Sequence, residues 1–459
     1  MTEIQDVVVI GGGPAGFAAA MRAAQLGGRV TLVEQAHYGG NCMNRACIPA
    51  TVLSTAVRLL GFVRKAERFG IQVSAPTLDI VALHERQDLI VEALRLGTEE
   101  LLTDHGVRLV EGRGRLAAAD AVEVAGQRIG ARNVIIATGS VAAQPPIAGA
   151  DLPGVIGSEE AIALRTVPRR IAILNHQPWG LAAAQYFHAL GSAVTLLESS
   201  SQVIPDADHE IAQRFGKLLH DAGVAIERGV SVEGIGQADD GALTVLLADG
   251  RGELMVDQVL APRRLPNSTG LGLRELGVRT EQGAVRVNER METNVPHIYA
   301  VGDVTGEPRW ASKANAEGIV AAENAMGLNS RMDIATLPRC LHTWPEVAWV
   351  GLTEEQAEAQ GLEINVGKAP IAINPYAMIL DESAGMIKVI ASRKYGKILG
   401  VHIMAPGAAD LINAITVAML AEATVGELMR FIPAHPSIGE ALVDAAMDVE
   451  KRSLHLPRW

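Results

Sequence analysis

The run Gly11-Gly12-Gly13-Pro14-Ala15-Gly16 lies between an apolar stretch, Val7 to Ile10, and an Ala-rich stretch from Phe17 to Leu26. A second apolar stretch, Val30 to Val33, follows and ends at Glu34. This order predicts a buried strand, a tight turn, a helix and a parallel strand, the βαβ frame that seats a dinucleotide. The glycines let the backbone approach a pyrophosphate at the helix N-terminus. Glu34, 18 residues beyond Gly16, is placed to accept from a ribose hydroxyl. A glycine-rich turn without a ligand is the bland alternative, and the acid in register weighs against it.

The frame recurs. Ile171 to Leu174 predicts a strand and Leu181 to Leu190 a helix, while Gly191 to Glu198 matches Gly27 to Glu34 closely. Gly180 and Glu198 are again 18 apart. The duplication implies two nucleotide-type domains. The turn does not repeat: Asn175, Gln177 and Gly180 stand where the first copy has Gly11, Gly13 and Gly16. Further on, a strand from Ile298 ends in Gly302-Asp303, before a helical stretch from Lys313 to Met326. The final third mixes strand patterns (Glu346 to Val350, Met386 to Ile390, Ile398 to Ile403) with helical stretches, the pattern of a separate α+β domain.

Four residues separate Cys42 from Cys47, just past the first frame. Two close thiols beside a bound flavin can store two electrons as a dithiol and release them as a disulfide. In a regular helix, residues five apart have Cα atoms roughly 8–9 Å from each other, whereas a disulfide needs less than about 7 Å. A distorted helix start is therefore expected, and Pro49 is compatible with it. A helix N-terminus also favours a thiolate. A structural bridge or a metal site are the alternatives, but zinc needs further ligands and none lie nearby; no metal is expected. Cys340 reads as a small buried hydrophobe, and His37, His342 and His402 as structural or surface residues.

At 459 residues there is room for two to four domains. The formal charge of −12 and an aromatic content of 3% argue against nucleic acid. Three cysteines do not make a secreted disulfide framework. No stretch of ~18 uncharged apolar residues indicates a spanning helix, and no basic leader precedes the first strand, so a cytoplasmic protein without a membrane partner is expected.

Together these pieces resemble the flavoprotein pyridine nucleotide–disulfide oxidoreductases, with the dihydrolipoamide dehydrogenase branch the most similar. The matching pieces are Gly11 to Gly16 with Glu34, Gly39 to Pro49, Ala137-Thr138-Gly139, Tyr299 to Asp303, Pro345 to Ala348 with Val350 to Glu355, and Ala434-His435-Pro436 with Glu440-Ala441-Leu442. The resemblance implies an α/β fold with two Rossmann-like domains and a C-terminal α+β dimerisation domain. The corresponding boundaries are an FAD domain at 1–149, an NAD-binding-like domain at 150–265, a central domain completing the FAD site at 266–335 and an interface domain at 336–459. It implies one FAD per subunit, contacted by Gly11, Gly13, Pro14, Ala15, Gly16, Glu34, Gly40, Asn41, Thr138, Gly139 and Asp303. It further implies that Cys42 is the interchange thiol and Cys47 the thiol facing the flavin. His435, oriented by Glu440, is the implied base, reaching the disulfide of the other subunit of a homodimer.

The departures from that pattern cluster on one face of the flavin. Asn175 and Gln177 are expected to occupy phosphate space, and Pro178 stands where the family commonly has an aromatic gate. Thr51 replaces a lysine and Ala182 the glutamate that pairs with it. NAD is therefore a doubtful partner. The expected function is oxidation of a small or lipoyl-type dithiol through Cys42 and Cys47, with an acceptor other than NAD(P)+. Two alternatives stay open: an ordinary NAD-dependent dihydrolipoyl dehydrogenase, and a flavin-binding assembly subunit without turnover.

Overall fold

A computed structural model describes residues 4–175 and 179–457. Strand β1 (Gln5–Ile10), helix α1 (Pro14–Gln25) and strand β2 (Val30–Glu34) form the first frame. β1 pairs in parallel with β2, Val7 opposite Val30, and on its other side with the strand Gln127–Ile136. Ile298–Ala300 adds alongside that strand, also in parallel, so the chain returns to its first sheet after nearly three hundred residues. Val7, Val8 and Val9 are fully buried, as a strand covered on both faces requires. α1 presents Ala15, Ala19, Ala20 and Ala23 to the core. These small residues let the helix Ala311–Ala325 approach so closely that a Cβ on Gly318 would meet the Ala15 carbonyl oxygen at 2.3 Å.

The second frame is built on the same plan. Arg170–Leu174, the helix Trp179–Ala189 and Ala193–Glu198 lie within a five-stranded sheet whose adjacent strands are parallel. A short antiparallel pair, Ser140–Ala142 against Arg264–Pro266, carries the chain out to this unit and back. The C-terminal part is a five-stranded antiparallel sheet from Arg339–Leu341 to Ile364–Pro370. The helices Ala408–Leu420 and Gly439–Asp448 pack into the core on it. The fold is thus the expected α/β arrangement of two nucleotide frames and an α+β domain.

Helices α2 (Gly40–Asn44) and α3 (Cys47–Arg64) carry the two cysteines. By length and composition the run Gly40–Arg64 is apolar enough to cross a membrane. It is interrupted at Arg45 and Ala46, however, and it sends Leu53, Val57 and Leu60 into the core.

A buried charge cluster fastens the second frame to the C-terminal sheet. Asp208 caps the helix His209–Asp221, accepting from the Glu210 N–H. Its Oδ2 lies 2.7 Å from Lys388 Nζ, which also reaches Glu354 Oε2 at 2.5 Å. Burial opposes the charge on Asp208, but the Lys388 hydrogen bond wins and holds the carboxyl below its usual range. Lys388→Met would strand that carboxylate, and should cost about 3–5 kcal/mol of unfolding free energy at neutral pH, measured by urea denaturation. The wild-type advantage belongs to the ionised carboxylate, so it is present above the usual carboxylate range and fades as pH falls through the lowered value.

Candidate active site

The carboxyl ends of four parallel strands meet at one edge of the first sheet. β1 ends at Ile10 before the glycine turn, β2 at Glu34, the 127–136 strand just before Thr138 and Gly139, and the 298–300 strand just before Asp303. Ligands of such sheets bind at this edge. Gly16 could not carry a side chain, because its Cβ would stand 1.8 Å from the Gly11 carbonyl oxygen. α1 is capped by Gly13 with no side-chain hydrogen bond and has no acid in its first turn. Its free N–H groups therefore suit a pyrophosphate. Gly12 N–H and Ala36 N–H donate to the Glu34 carboxylate at 2.7 and 2.8 Å. Asp303 Oδ2 accepts from Ser140 Oγ at 2.6 Å. These residues fit the ADP and ribityl parts of FAD. Gly16→Ala should overpack the turn by on the order of 1–3 kcal/mol, read as a fall in flavin absorbance per chain.

The cysteines lie directly beside this turn. A Cβ on Gly40 would come within 2.6 Å of Gly13 Cα, so only glycine lets the redox segment pack there. The expected distortion between the cysteines is a complete break, with Arg45 and Ala46 outside helical angles (φ −140°, ψ −12° and φ −128°, ψ −92°). Cys42 lies in the middle of the short helix α2, and Cys47 opens the 18-residue helix α3. Both are free thiols. A hydrogen bond from Cys42 holds Cys47 below the usual thiol range, against burial and the charge of Asp303. The same hydrogen bond, then burial, pushes Cys42 up. The hydrogen bond between them thus favours ionisation of Cys47 over Cys42.

His342 is exposed, consistent with the surface reading, but it is not isolated. Its Nδ1 faces Glu346 Oε1 at 3.9 Å, and that carboxylate, with the Cys47 charge adding to it, raises the imidazole's affinity for a proton. Cys340, expected to be buried, is only partly buried against the C-terminal core, its thiol pushed up to about 12, mainly by burial. His402 is fully buried and His37 is exposed. Thr51 and Ala182 line one cavity of about 510 Å³, walled by α3, the helix Trp179–Ala189 and the C-terminal segment 342–346.

The second nucleotide frame differs from the first in how its carboxylate is held. Asn175 N–H donates to the Leu197 carbonyl at 2.9 Å, just as Gly11 N–H donates to Val33 at 2.8 Å. Asn175 thus occupies the place of Gly11. Its side chain does not project into phosphate space, as the sequence suggested. It turns inward and donates from Nδ2 to Glu198 Oε2 at 2.5 Å and to the Val203 carbonyl at 2.8 Å. Ser200 N–H takes the other carboxylate oxygen at 2.8 Å. Glu198 is only 1% exposed. A buried carboxylate needs donors, and here the protein supplies them itself. Gln177 and Pro178 lie outside the described residues.

At the C-terminus, His435 Nδ1 faces Glu440 Oε1 at 2.8 Å, and Ser437 N–H donates to Glu440 Oε2 at 3.0 Å. The His435 hydrogen bond holds the Glu440 carboxyl below its usual range. With Nδ1 donating, Nε2 is left to accept a proton. The imidazole is largely exposed, near the exposed apolar side chains of Phe431 and Ile432. Among the described residues, no hydrogen bond joins it to the cysteines of its own chain.

Sequence reading missed one further group. Arg264 and Glu159 join Ser140 and Asn41 in a partly buried polar chain between Asp303 and the cysteine segment. No local pattern could have revealed it, because its members come from four distant segments.

Two nucleotide frames, a flavin-compatible sheet edge and a polarised thiol pair define a flavin-linked disulfide oxidoreductase. The chain belongs to the pyridine nucleotide-disulphide oxidoreductase family, whose sequence profile matches residues 5–318, with the family's dimerisation domain at 337–446. The protein is accordingly an FAD-binding enzyme of the dihydrolipoamide dehydrogenase type, acting on sulfur groups. It is 39% identical to a dihydrolipoyl dehydrogenase of Thermus scotoductus, over 98% of each chain. It is 34% identical to the mitochondrial dihydrolipoyl dehydrogenase of Pisum sativum, over 99% of this chain and 93% of that one. Among solved structures it resembles the HOCl-induced flavoprotein disulfide reductase RclA from Escherichia coli, determined as a Cu(II) complex (TM-score 0.86, 28% identity, 97% and 99% of the two chains). It also resembles LpdA from Mycobacterium tuberculosis (TM-score 0.89, 25% identity, 96% and 98%).

Proposed function

We propose that the protein oxidises a small or lipoyl-type dithiol to its disulfide and passes the electrons to an acceptor other than NAD(P)+. The observation that carries the second half is the Asn175–Glu198 hydrogen bond. Glu34 also has two internal donors but is partly exposed, whereas Glu198 is covered and one of its donors is a side-chain amide. A nucleotide ribose would have to reach a carboxylate that water does not, and displacing the amide would cost about 1–3 kcal/mol.

In the oxidised enzyme Cys42 and Cys47 form the disulfide. A substrate thiolate attacks Cys42 Sγ, forming a mixed disulfide; the Cys42–Cys47 bond breaks and its electron pair stays on Cys47. The second substrate thiolate then attacks the substrate sulfur of the mixed disulfide and releases Cys42. His435 of the partner subunit takes the proton that each thiol must lose first, and Glu440 fixes its tautomer. The exposure of His435 beside apolar side chains, and the dimerisation domain, support this shared site. Gly11, Gly13, Pro14, Ala15, Gly16, Glu34, Gly40, Asn41, Thr138, Gly139 and Asp303 would hold FAD, which supplies a two-electron acceptor beside Cys47. The family's pyridine-nucleotide name favours the ordinary NAD-linked reading as the second possibility.

Anaerobic stopped-flow reduction separates the readings. Dihydrolipoamide should bleach the flavin within the turnover time, while NADH and NADPH should not. Rapid bleaching by NADH would sink the closed-site reading. No bleaching by any dithiol would favour a subunit without turnover.

A further inference from the structure

Between the flavin-side carboxylate and the cysteine segment lies a continuous run of charged hydrogen bonds that the dithiol chemistry above does not use. Ser140 Oγ donates to Asp303 and accepts from Arg264 Nε at 2.8 Å. Arg264 Nη2 also donates to the Ser140 carbonyl at 2.6 Å, and its Nη1 reaches Glu159 Oε1 at 2.6 Å. With its amide oriented to satisfy its neighbours, Asn41 donates to the same Glu159 oxygen at 2.9 Å and accepts from Arg264 at 3.2 and 3.3 Å. Arg45, in the break between the cysteines, lies 3.8 Å from Glu159 Oε2. The Arg264 and Glu159 side chains are only 13% and 22% exposed.

Their anchorage matters. Glu159 stands on the short helix Ser158–Ile162, whose Ala161 and Ile162 are buried in the same core as Leu53 and Val57 of α3. Arg264 opens the strand that returns from the second frame to the first. Both side chains are thus presented by rigid elements, as a positioning shell requires. Three of the guanidinium's nitrogens are engaged in a fork that lysine could not reproduce.

We propose that Arg264 and Glu159 are positioning residues for the redox pair: the second nucleotide frame acts through them as a brace that fixes Asn41 and Arg45 beside the cysteines and Asp303, through Ser140, on the flavin side. A frame whose own nucleotide site is filled from within thereby keeps a mechanical task. The inference rests on the thiol pair and not on the identity of the acceptor, so either can fail without the other.

The groups that bear on Cys47 are Cys42, Asp303 and His342. Asp303 disfavours the thiolate, and Arg264 shares Ser140 with it. Loosening Arg264 should leave Asp303 less compensated and Cys47 harder to ionise. The test is the pH midpoint for alkylation of Cys47 by iodoacetamide in the reduced protein, read by peptide mass spectrometry, with the thiolate–flavin absorbance as a second signal. Arg264→Met should raise the midpoint by about one unit, a tenfold loss of thiolate below it; Arg264→Lys should fall between. Glu159→Gln is the decisive variant. Removal of a negative charge would by itself lower the midpoint, whereas release of Asn41 and Arg45 should raise it. A lowered or unchanged midpoint in Glu159→Gln, or an unchanged one in Arg264→Met, overturns the proposal. The alkylation midpoint needs no flavin, so loss of FAD from a variant leaves the result interpretable.

Discussion

Cys42→Ser should retain FAD yet lose dithiol oxidation by on the order of 10⁴-fold or more. Serine oxygen cannot accept the substrate's sulfur, Cys47 without Cys42 has no disulfide to be attacked, and Cys340 is partly buried against the C-terminal core with its thiol pushed up to about 12. The variant should also preserve something. Cys47 is held low first by a hydrogen bond from residue 42, and a serine hydroxyl can donate in its place. The thiolate–flavin absorbance should therefore survive in Cys42→Ser and vanish in Cys47→Ser. Steady-state oxidation of dihydrolipoamide and the absorbance spectrum read the two effects separately. Unchanged turnover would refute the assignment of Cys42.

His435→Gln should reduce kcat by about 10²–10⁴-fold, the usual contribution of a positioned base. At low pH the depressed carboxyl of Glu440 is protonated. Its orienting contribution is complete above the usual carboxylate range and is lost as pH falls through the lowered value. The proposed sharing of the site gives a sharper check. Neither Cys42→Ser nor His435→Gln homodimers should turn over. Subunits mixed after reversible dissociation should recover about a quarter of the wild-type activity, because half the dimers are mixed and each has one complete site. No recovery would place the base in its own subunit.

The glycine turn, Glu34 and the cysteine pair were legible because each combines a local pattern with a local task. The second frame was legible from Gly191 to Glu198, where spacing alone repeats. Asn175 was recognised as a departure, but not the direction of its side chain. That depended on a carboxylate 23 residues away that needed a donor. His342 was read as a bystander because its partners, Glu346 and the Cys47 charge, lie on different elements. Lys388 was not singled out, its partner Asp208 being 180 residues distant. Ion pairs between distant segments have no sequence period, and the partly buried Arg264–Glu159 pair belongs to that class.

The inward turn of Asn175 also makes the change in the second frame hard to undo. Restoring glycine at this position would remove one donor from a carboxylate that is 1% exposed. The intermediate would be destabilised by about 1–3 kcal/mol before any nucleotide could compensate it. Replacing Glu198 first would instead leave Asn175 without its acceptor and the ribose without its acid. On the proposed closed-site reading, either single step destabilises the fold, and a nucleotide-binding turn would need two coordinated substitutions. The hydrogen bond works as a ratchet.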